Sequence, residues 1–553
     1  MDAPSRAFFV AYADGVDAGL DPGERADGRW QPWTPVGVFA VHHVLFGSLG
    51  HHLWRRHVTG LLGADAVEAL AQEVPASSGS NAWVVGGDRT TSGRPLIGAD
   101  PHRLLSVPGV YQRVHLVCPT EGVDVLGLTI AGVPGVQHFG HTGGVAWAIT
   151  NAMADTQDLL DVRLRRHDGG VQVDLGDGWE PCGTGRDDPA GDVVVTRLGP
   201  VVVGGPADDP DGGDALVLRS VPWVTRDWGL SAVLPLLRAR TVADVSEALD
   251  GWVEPVNDVL AADTSGAVVH RVAGRVPRRV EGDWIGWLEH DVEQVPPGGH
   301  VVSANHRRGP ESAALSGEFA PPHRARRLEQ LLAEHPVLDV STAAALHADT
   351  LLLPAGDWQR RLAALDVDGP ARSVRDTIVA WDGRMDADSS AAAVFAAVRA
   401  ATVRRLAATP PLDRLSTPAD LPELFGPWLR PEPRIALALD RWIVDDVPFG
   451  LDLDAVLVTA LGEAAMTGTA ATWGDVHRFE RPDGTSVPLA GDDACVLSTS
   501  AATGLGDVVW RGPVARLVWC LADRDASRWT VPDELDVWAA GGTSPVADPG
   551  VES

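Results

Sequence analysis

Lysine is absent from this 553-residue chain: its 45 basic residues are all arginine, set against 75 acidic ones for a net charge of −30. That balance repels phosphate backbones and disfavours a nucleic-acid partner. Cysteine is scarce as well. Cys118, Cys182, Cys495 and Cys520 lie far apart with no C-x-x-C pair, so neither a zinc ribbon nor a disulfide-dense scaffold is indicated, and the redox compartment stays unassigned. No apolar run approaches the ~18 residues that span a bilayer, so no membrane partner is expected. The start Met1-Asp2-Ala3-Pro4-Ser5-Arg6 has no basic segment followed by a long apolar one, so the compartment is unassigned. Three further absences narrow the chemistry. Without a G-x-S-x-G elbow there is no sign of a serine hydrolase with a separate base. Without an H-E-x-x-H pair, the histidines His42, His43, His51, His52 and His57 read as a solvated or core helix face rather than a zinc site. Asp208 to Asp214 lacks EF-hand spacing and its closing glutamate, which leaves a solvated loop.

What is present is ordinary globular composition, 45% hydrophobic and 22% charged, in a chain long enough for one large core or two to three smaller ones. Residues 1 to about 79 have a helical texture. Trp33-Thr34-Pro35 reads as a helix start, with apolar-rich Val36 to Leu53 behind it and a second helix over Ala64 to Glu73. From Asn81 to about Asp158, short Val, Ile and Leu runs broken by Gly and Pro predict strands and tight turns, and Val193 to Leu198, Val201 to Gly204 and Ala215 to Arg219 continue them. A mainly helical insertion is expected from about 321 to 475. It contains Arg324 to Leu332, Val340 to Leu351, Val374 to Trp381 and Ala391 to Leu406, then a Pro-rich crossing from Ala408 to Pro433. Strand texture returns at Asp493 to Ser498 and Val508 to Cys520, and no internal repeat is found.

The chemistry centres on Gly79-Ser80, at the end of the polar run Pro75 to Ser80. Alone, that run reads as a surface linker. Glycine removes a side-chain clash from a carbonyl that the following serine could attack. A serine freed at a chain start carries its own base, an α-amine with pKa near ~8. Ser80-Asn81-Ala82-Trp83-Val84-Val85-Gly86-Gly87 is followed by Thr90 to Ile97 and Asp100-Pro101-His102. Further on come Gly132-Val133-Pro134-Gly135, Phe139-Gly140-His141, Ala146 to Asn151, Asp155, Asp158, Val302-Ser303-Ala304-Asn305, Pro322-His323-Arg324-Ala325 and Ala380-Trp381-Asp382-Gly383.

In order and spacing these segments resemble the penicillin acylase family of N-terminal nucleophile hydrolases, and most closely its cephalosporin acylase and acyl-homoserine-lactone acylase branch. The resemblance runs over roughly residues 10 to 530. It implies an α+β fold, a four-layer α-β-β-α sandwich with helical insertions. It also implies a precursor that cuts itself between Gly79 and Ser80, leaving 1–79 as a partial α-chain-like segment and 80–553 as the catalytic β-chain. The implied activity is hydrolysis of the linear amide of a small N-acyl compound, a β-lactam side chain or an acyl-homoserine lactone, through an acyl-enzyme on Ser80. No cofactor is required.

Residue by residue, the resemblance makes Ser80 the nucleophile. It makes Asn305 the side-chain donor and the Asn151 N–H the main-chain donor to the oxyanion. Arg324 would support the asparagine and the serine amine, although Arg326 and Arg327 are close enough to shift the register. His102, 22 residues after the serine, would hydrogen-bond the Ser80 backbone or amine, with an acidic partner expected from the C-terminal segment. Asp155 and Asp158 match aspartates that bind calcium in some members, yet two carboxylates fall short of the ~6–8 oxygens calcium takes. Read alone, Asn305 is a turn residue and His102 a polar turn residue. Two departures stand out: the longer α-chain of the family has no counterpart before Tyr12, and about 530–553 diverges. They leave a truncated, unprocessed, non-catalytic homologue as the competing reading. Members are usually exported.

Overall fold

The structure, a computed structural model, describes residues 1–21, 23, 28–43, 47–70, 79–185, 193–205, 212–468 and 472–546. The run Pro75 to Ser78, most of the acidic loop 208–214 and the end of the chain from 547 lie outside the described residues.

Among the described residues, two seven-stranded antiparallel sheets carry the centre of the molecule. The first places Gly79–Val85 between His300–Ser303 and Leu96–Leu104, with Arg511–Pro513 and Arg516–Cys520 beyond the latter. The second runs through Val268–Ala273, Asn257–Asp263, Val145–Asn151 and Phe139–His141 to Val123–Ile130 and Tyr111–Cys118. Strand alternation sorts the first sheet's side chains. Ala82, Val84, Ile97 and Ala99 join one apolar core with Leu128, Phe139, Trp147 and Leu260 of the second sheet. Trp83, Val85 and Leu96 turn the other way onto Ala325, Leu328, Leu331 and Leu332 of the helix His323–Glu334. The far side of the second sheet meets the helices Val233–Arg238 and Val242–Leu249.

Two tryptophans show why glycine is needed inside these strands. Trp83 lies across from Gly98, and a Cβ there would come within 2.2 Å of the indole. Trp147 lies across from Gly140 in the same way, at 2.4 Å. Any side chain at either glycine would push the ring out of its core.

The helices follow apolar spacing and their caps. Ser389 accepts from the Ala392 N–H at 3.2 Å to start Ser390–Ala407, and Asp452 accepts from Ala455 at 3.0 Å to start Leu453–Thr467. These helices, with Ala355–Ala363, Gly369–Val379 and Pro431–Val444, form a second core that takes in Trp54 and Val58 of the N-terminal helix Leu49–Leu62. The expected helix over Val36 to Leu53 is instead two, Thr34–His43 and Leu49–Leu62, with 44–46 outside the described residues. The Pro-rich crossing holds short 3-10 turns at Leu412–Ser416 and Glu423–Leu429. The strand expected at Asp493 to Ser498 is a turn segment. Its apolar residues are enclosed from several directions, Cys495 by the helical core and Val496 by the core behind the first sheet, so burial needs no ladder there. No helix among the described residues is long and apolar enough to cross a membrane.

Candidate active site

Ser80 is the second residue of its strand, paired with Pro101, while Gly79 pairs with His102 and Asn81 with Asp100. Alternation therefore turns the Ser80 side chain toward the second sheet and the Asn81, Asp100 and His102 side chains toward the helices. Ser80 is only 6% exposed. Its N–H donates to Asn305 Oδ1 at 2.5 Å, and its hydroxyl donates to the Gly79 carbonyl oxygen. The Ser80 hydroxyl and the Gly79 carbonyl are thus in contact within an intact chain. The space around them is tight: a side chain on residue 79 would begin 3.3 Å from His102 Nδ1 and 3.6 Å from Arg511 Nη1.

Asn305 follows the His300–Ser303 strand in a left-handed turn, with φ of 62°. The turn aims its amide at both sheets. Nδ2 donates to the Asn151 carbonyl at 2.8 Å, using one of its two protons, while Oδ1 accepts from Ser80 and from Arg324 Nη2 at 3.2 Å. Asn151 ends the Val145–Asn151 strand, opposite Asn257, and its own Oδ1 accepts from the Met153 N–H at 2.8 Å. Beneath Asn305, the Ser303 hydroxyl sits 2.7 Å from the Thr150 hydroxyl and donates to Asp258 at 2.9 Å, which stitches the two sheets together below the site.

Arg324, in the first turn of its helix, settles the register among three neighbouring arginines. Its Nη1 donates to the Ser80 carbonyl at 2.7 Å and to Asn81 Oδ1 at 2.6 Å. Arg326 points to solvent, and Arg327 forks onto Asp349 at 3.0 and 2.9 Å. Burial lowers the Arg324 pKa to about 10, so the guanidinium keeps its charge. With Asp493, Trp510 and Arg511 it also lines a cavity of about 120 Å³. That is below the ~300–1,000 Å³ of drug-sized pockets, so it holds the tip of a ligand at most.

His102 differs from the expectation. It makes no hydrogen bond to Ser80: Nε2 is 2.7 Å from Asp100 Oδ2, and Nδ1, without a partner among the described residues, faces Gly79. Among the described residues the acidic partner is therefore Asp100, two residues earlier on the same face, rather than one from the C-terminal segment. Asp100 also receives Asn81 Nδ2 at 3.1 Å and sits 3.2 Å from His347 Nδ1. Burial lowers the His102 pKa to about 4 against the opposing pull of Asp100, so the ring is neutral near pH 7. Burial also resists ionisation of Asp100, but His102 and His347 outweigh it and hold the carboxyl near 2. Asn81, Asp100 and His347 escaped sequence reading. Period-two alternation alone pairs Asp100 with His102, whereas His347 needs the fold.

On the Ser80 side of the same strand, Arg103 donates to the His42 carbonyl, and Tyr111 and His138 share a 2.9 Å hydrogen bond against the rings of Phe39 and Trp252. The other histidines of the N-terminal helices also have protein partners. His43 Nδ1 lies 2.7 Å from the Phe39 carbonyl, His51 contacts Glu318, and His57 lies 3.0 Å from the Leu415 carbonyl.

Asp155 and Asp158 do not fit calcium. Arg279 Nε donates to Asp158 Oδ1 at 3.0 Å, and its Nη2 to the carbonyls of Asp155 and Gln157 at 2.9 and 3.2 Å. Asp158 Oδ2 takes Arg219 and, at 2.5 Å, Trp284 Nε1, while Asp155 Oδ1 takes Ser48 and His52. Among the described residues, no group of three or more His, Cys, Asp or Glu could hold a metal ion.

With this geometry in view, the comparisons with known proteins define the class. Residues 1–534 match the sequence model of the penicillin amidase family, and the chain belongs to that family. It is 32% identical over 629 aligned positions to the penicillin acylase 2 proenzyme of Pseudomonas sp. (strain SE83), covering 96% of this chain and 80% of that protein. It is 27% identical to the acyl-homoserine lactone acylase QuiP of Pseudomonas fluorescens (strain Pf0-1), covering 82% of this chain and 62% of the relative. A thermostable penicillin G acylase from Alcaligenes faecalis shares the fold, with a TM-score of 0.60 at 16% identity over 86% of this chain and 98% of that one.

Proposed function

We propose that this chain is an N-terminal-nucleophile amidohydrolase that cuts itself between Gly79 and Ser80 and then hydrolyses the linear amide of a small N-acyl compound. The observation that carries it is the Ser80 N–H on Asn305 Oδ1 at 2.5 Å, with Arg324 bridging Ser80 and Asn305. The four-layer α-β-β-α reading is supported by the core shared between the two sheets and by the helices outside each.

In the first reaction the Ser80 oxygen attacks the Gly79 carbonyl carbon, the C–N bond breaks, and water hydrolyses the resulting ester to free the Ser80 amine and a Gly79 carboxylate. In the second, that amine takes the hydroxyl proton as Ser80 attacks the substrate amide, and it returns a proton to the leaving amine. The acyl ester on Ser80 is then hydrolysed by water. Asn305 Nδ2, which has a second proton to give, and the Asn151 N–H serve as oxyanion donors. Arg324 orients Asn305, and His102 with Asp100 packs the rear of the cleavage site. The acyl group would lie on the Ser80 face, toward Tyr111 and His138. The names of the two relatives favour a β-lactam side chain or an acyl-homoserine lactone as the N-acyl compound.

Intact mass with N-terminal sequencing tests this directly. A large fragment beginning Ser-Asn-Ala-Trp, and a Ser80→Ala protein both uncut and inactive on N-acyl amides, is the expected result. A single uncut chain would favour the non-catalytic homologue, and an active Ser80→Ala protein would overturn the assignment of the nucleophile.

A further inference from the structure

Four oxygens converge on one guanidinium at the junction of the N-terminal helices and the sheets. They are Asp158 Oδ1, the carbonyls of Asp155 and Gln157, and, at 3.8 Å, Asp155 Oδ1, all facing Arg279. Carboxylate and carbonyl oxygens gathered in this way make the ligand set of a hard divalent cation. Here the set closes on a protein side chain.

The local structure explains how Arg279 arrives there. It sits opposite Trp284 in the register of the hairpin Pro277–Val280 and Asp283–Trp287, and Arg219 sits opposite Asp158 in the pair Gly212–Ser220 and Gln157–His167. The Trp284 ring has the Arg219 guanidinium 4.7 Å from its centroid and that of Arg279 at 5.7 Å, and its N–H adds a third donor to Asp158. Two carboxylates therefore meet two fixed positive charges. A divalent ion would add two more, in a half-buried place with no anion left to answer it. Calcium also needs ~6–8 oxygens at ~2.3–2.6 Å, and both oxygens of Asp158, Asp155 Oδ1 and the carbonyls of Asp155 and Gln157 already accept from protein N–H or O–H groups.

We propose that Arg279 is the resident cation of this oxygen cluster, standing where a divalent ion would otherwise be required. The cluster fastens the segment before residue 79 to the rest of the chain: Ser48 and His52, on and beside the helix Leu49–Leu62, bond to Asp155. The inference is independent of whether Ser80 is a nucleophile.

The test is metal content and thermal unfolding of the full chain, with and without EDTA or millimolar calcium. The wild type should hold no stoichiometric calcium and keep its Tm under both additions. Arg279→Ala should lose Tm, and calcium, but not sodium chloride of equal ionic strength, should restore part of the loss. Stoichiometric calcium in the wild type, or a Tm that drops in EDTA, would overturn the proposal. So would an Arg279→Ala protein as stable as wild type in EDTA, or one whose lost Tm calcium cannot restore. If Arg279→Ala does not fold, Arg279→Gln, which keeps most of the packing volume, takes its place, and the wild-type metal content decides on its own.

Discussion

Ser80 and Asn305 are joined backbone to side chain, N to Oδ1, across 2.5 Å, although 225 residues separate them in the chain. The same amide reaches the second sheet through Nδ2 and the Asn151 carbonyl. One side chain therefore fixes the distance between the serine nitrogen and the Val145–Asn151 strand, which carries the N–H proposed as second oxyanion donor. On the proposed mechanism, truncating it removes an oxyanion donor and loosens the base together. Asn305→Ala should lower kcat on an N-acyl amide by about 10²–10³, with a smaller change in KM. Asn305→Asp sets a negative charge beside the serine amine and favours its protonated form. Its activity should be low at neutral pH and recover partly as pH rises. An Asp variant with the wild-type pH profile would remove Asn305 from contact with the base.

The Asp100–His102 pair gives a stability prediction with a definite sign. His102 holds its proton less tightly in the fold, at about 4 against an ordinary 6.5, and Asp100 does likewise, at about 2 against 3.8. In both windows the native state binds fewer protons than the unfolded chain, so stability is present above pH 6.5 and is lost as pH falls through the folded values. His102→Gln should flatten the part of the Tm decline between pH 6.5 and 4 that belongs to this ring. Asp100→Ala leaves His102, His347 and Asn81 without their acceptor and should cost about 3–5 kcal/mol in urea unfolding. A loss under 1 kcal/mol would mean the network relaxes around the gap.

Much of this was legible before the fold. The strand texture after Asn81, the helix that carries Arg324 and the turn at Ser303-Ala304-Asn305 each follow from local apolar spacing or a local motif. Partners contributed from far along the chain were not. His347 reaches Asp100 across 247 positions, and Arg279 reaches Asp158 across 121; no periodicity encodes either contact. The Asp100–His102 bond was within reach, since residues two apart on a strand share a face. The turn at Asp493 to Ser498 misled for a physical reason: a short apolar run walled in on several sides reads like a buried strand.

Arg324 separates charge from shape. Its Nη1 and Nη2 serve three buried acceptors at once, the Ser80 carbonyl, Asn81 Oδ1 and Asn305 Oδ1. Lysine keeps the charge but replaces the planar fork with a single point. Arg324→Lys should therefore retain a folded chain while slowing both self-cleavage and turnover by at least ~10-fold, because Asn305 loses its orienting donor. Arg324→Ala should also unfold more readily, having stranded three oxygens. Equal cleavage rates for wild type and Arg324→Lys, followed by intact mass over time, would show that charge alone suffices.

Glu254 responds to pH in the opposite direction from His102. Its carboxyl is buried, its Oε1 accepts from the Thr156 hydroxyl at 3.0 Å, and its Oε2 has no partner among the described residues. Burial pushes its pKa up to about 7 from 4.5. The native state therefore binds more protons than the unfolded chain between those values, and stability falls as pH rises through that window. The loss is on the order of 3 kcal/mol once the carboxyl is ionised. Glu254 precedes the strand Asn257–Asp263, whose first residue pairs with Asn151, so an ionised carboxyl should loosen the support of the proposed second oxyanion donor. Glu254→Gln keeps the shape and an acceptor for Thr156 without the charge. It should match wild type near pH 4.5, exceed it in Tm above pH 7, and retain activity further into the alkaline range. Parallel Tm curves for the two proteins from pH 4.5 to 8 would mean that Glu254 titrates as freely in the fold as in the unfolded chain.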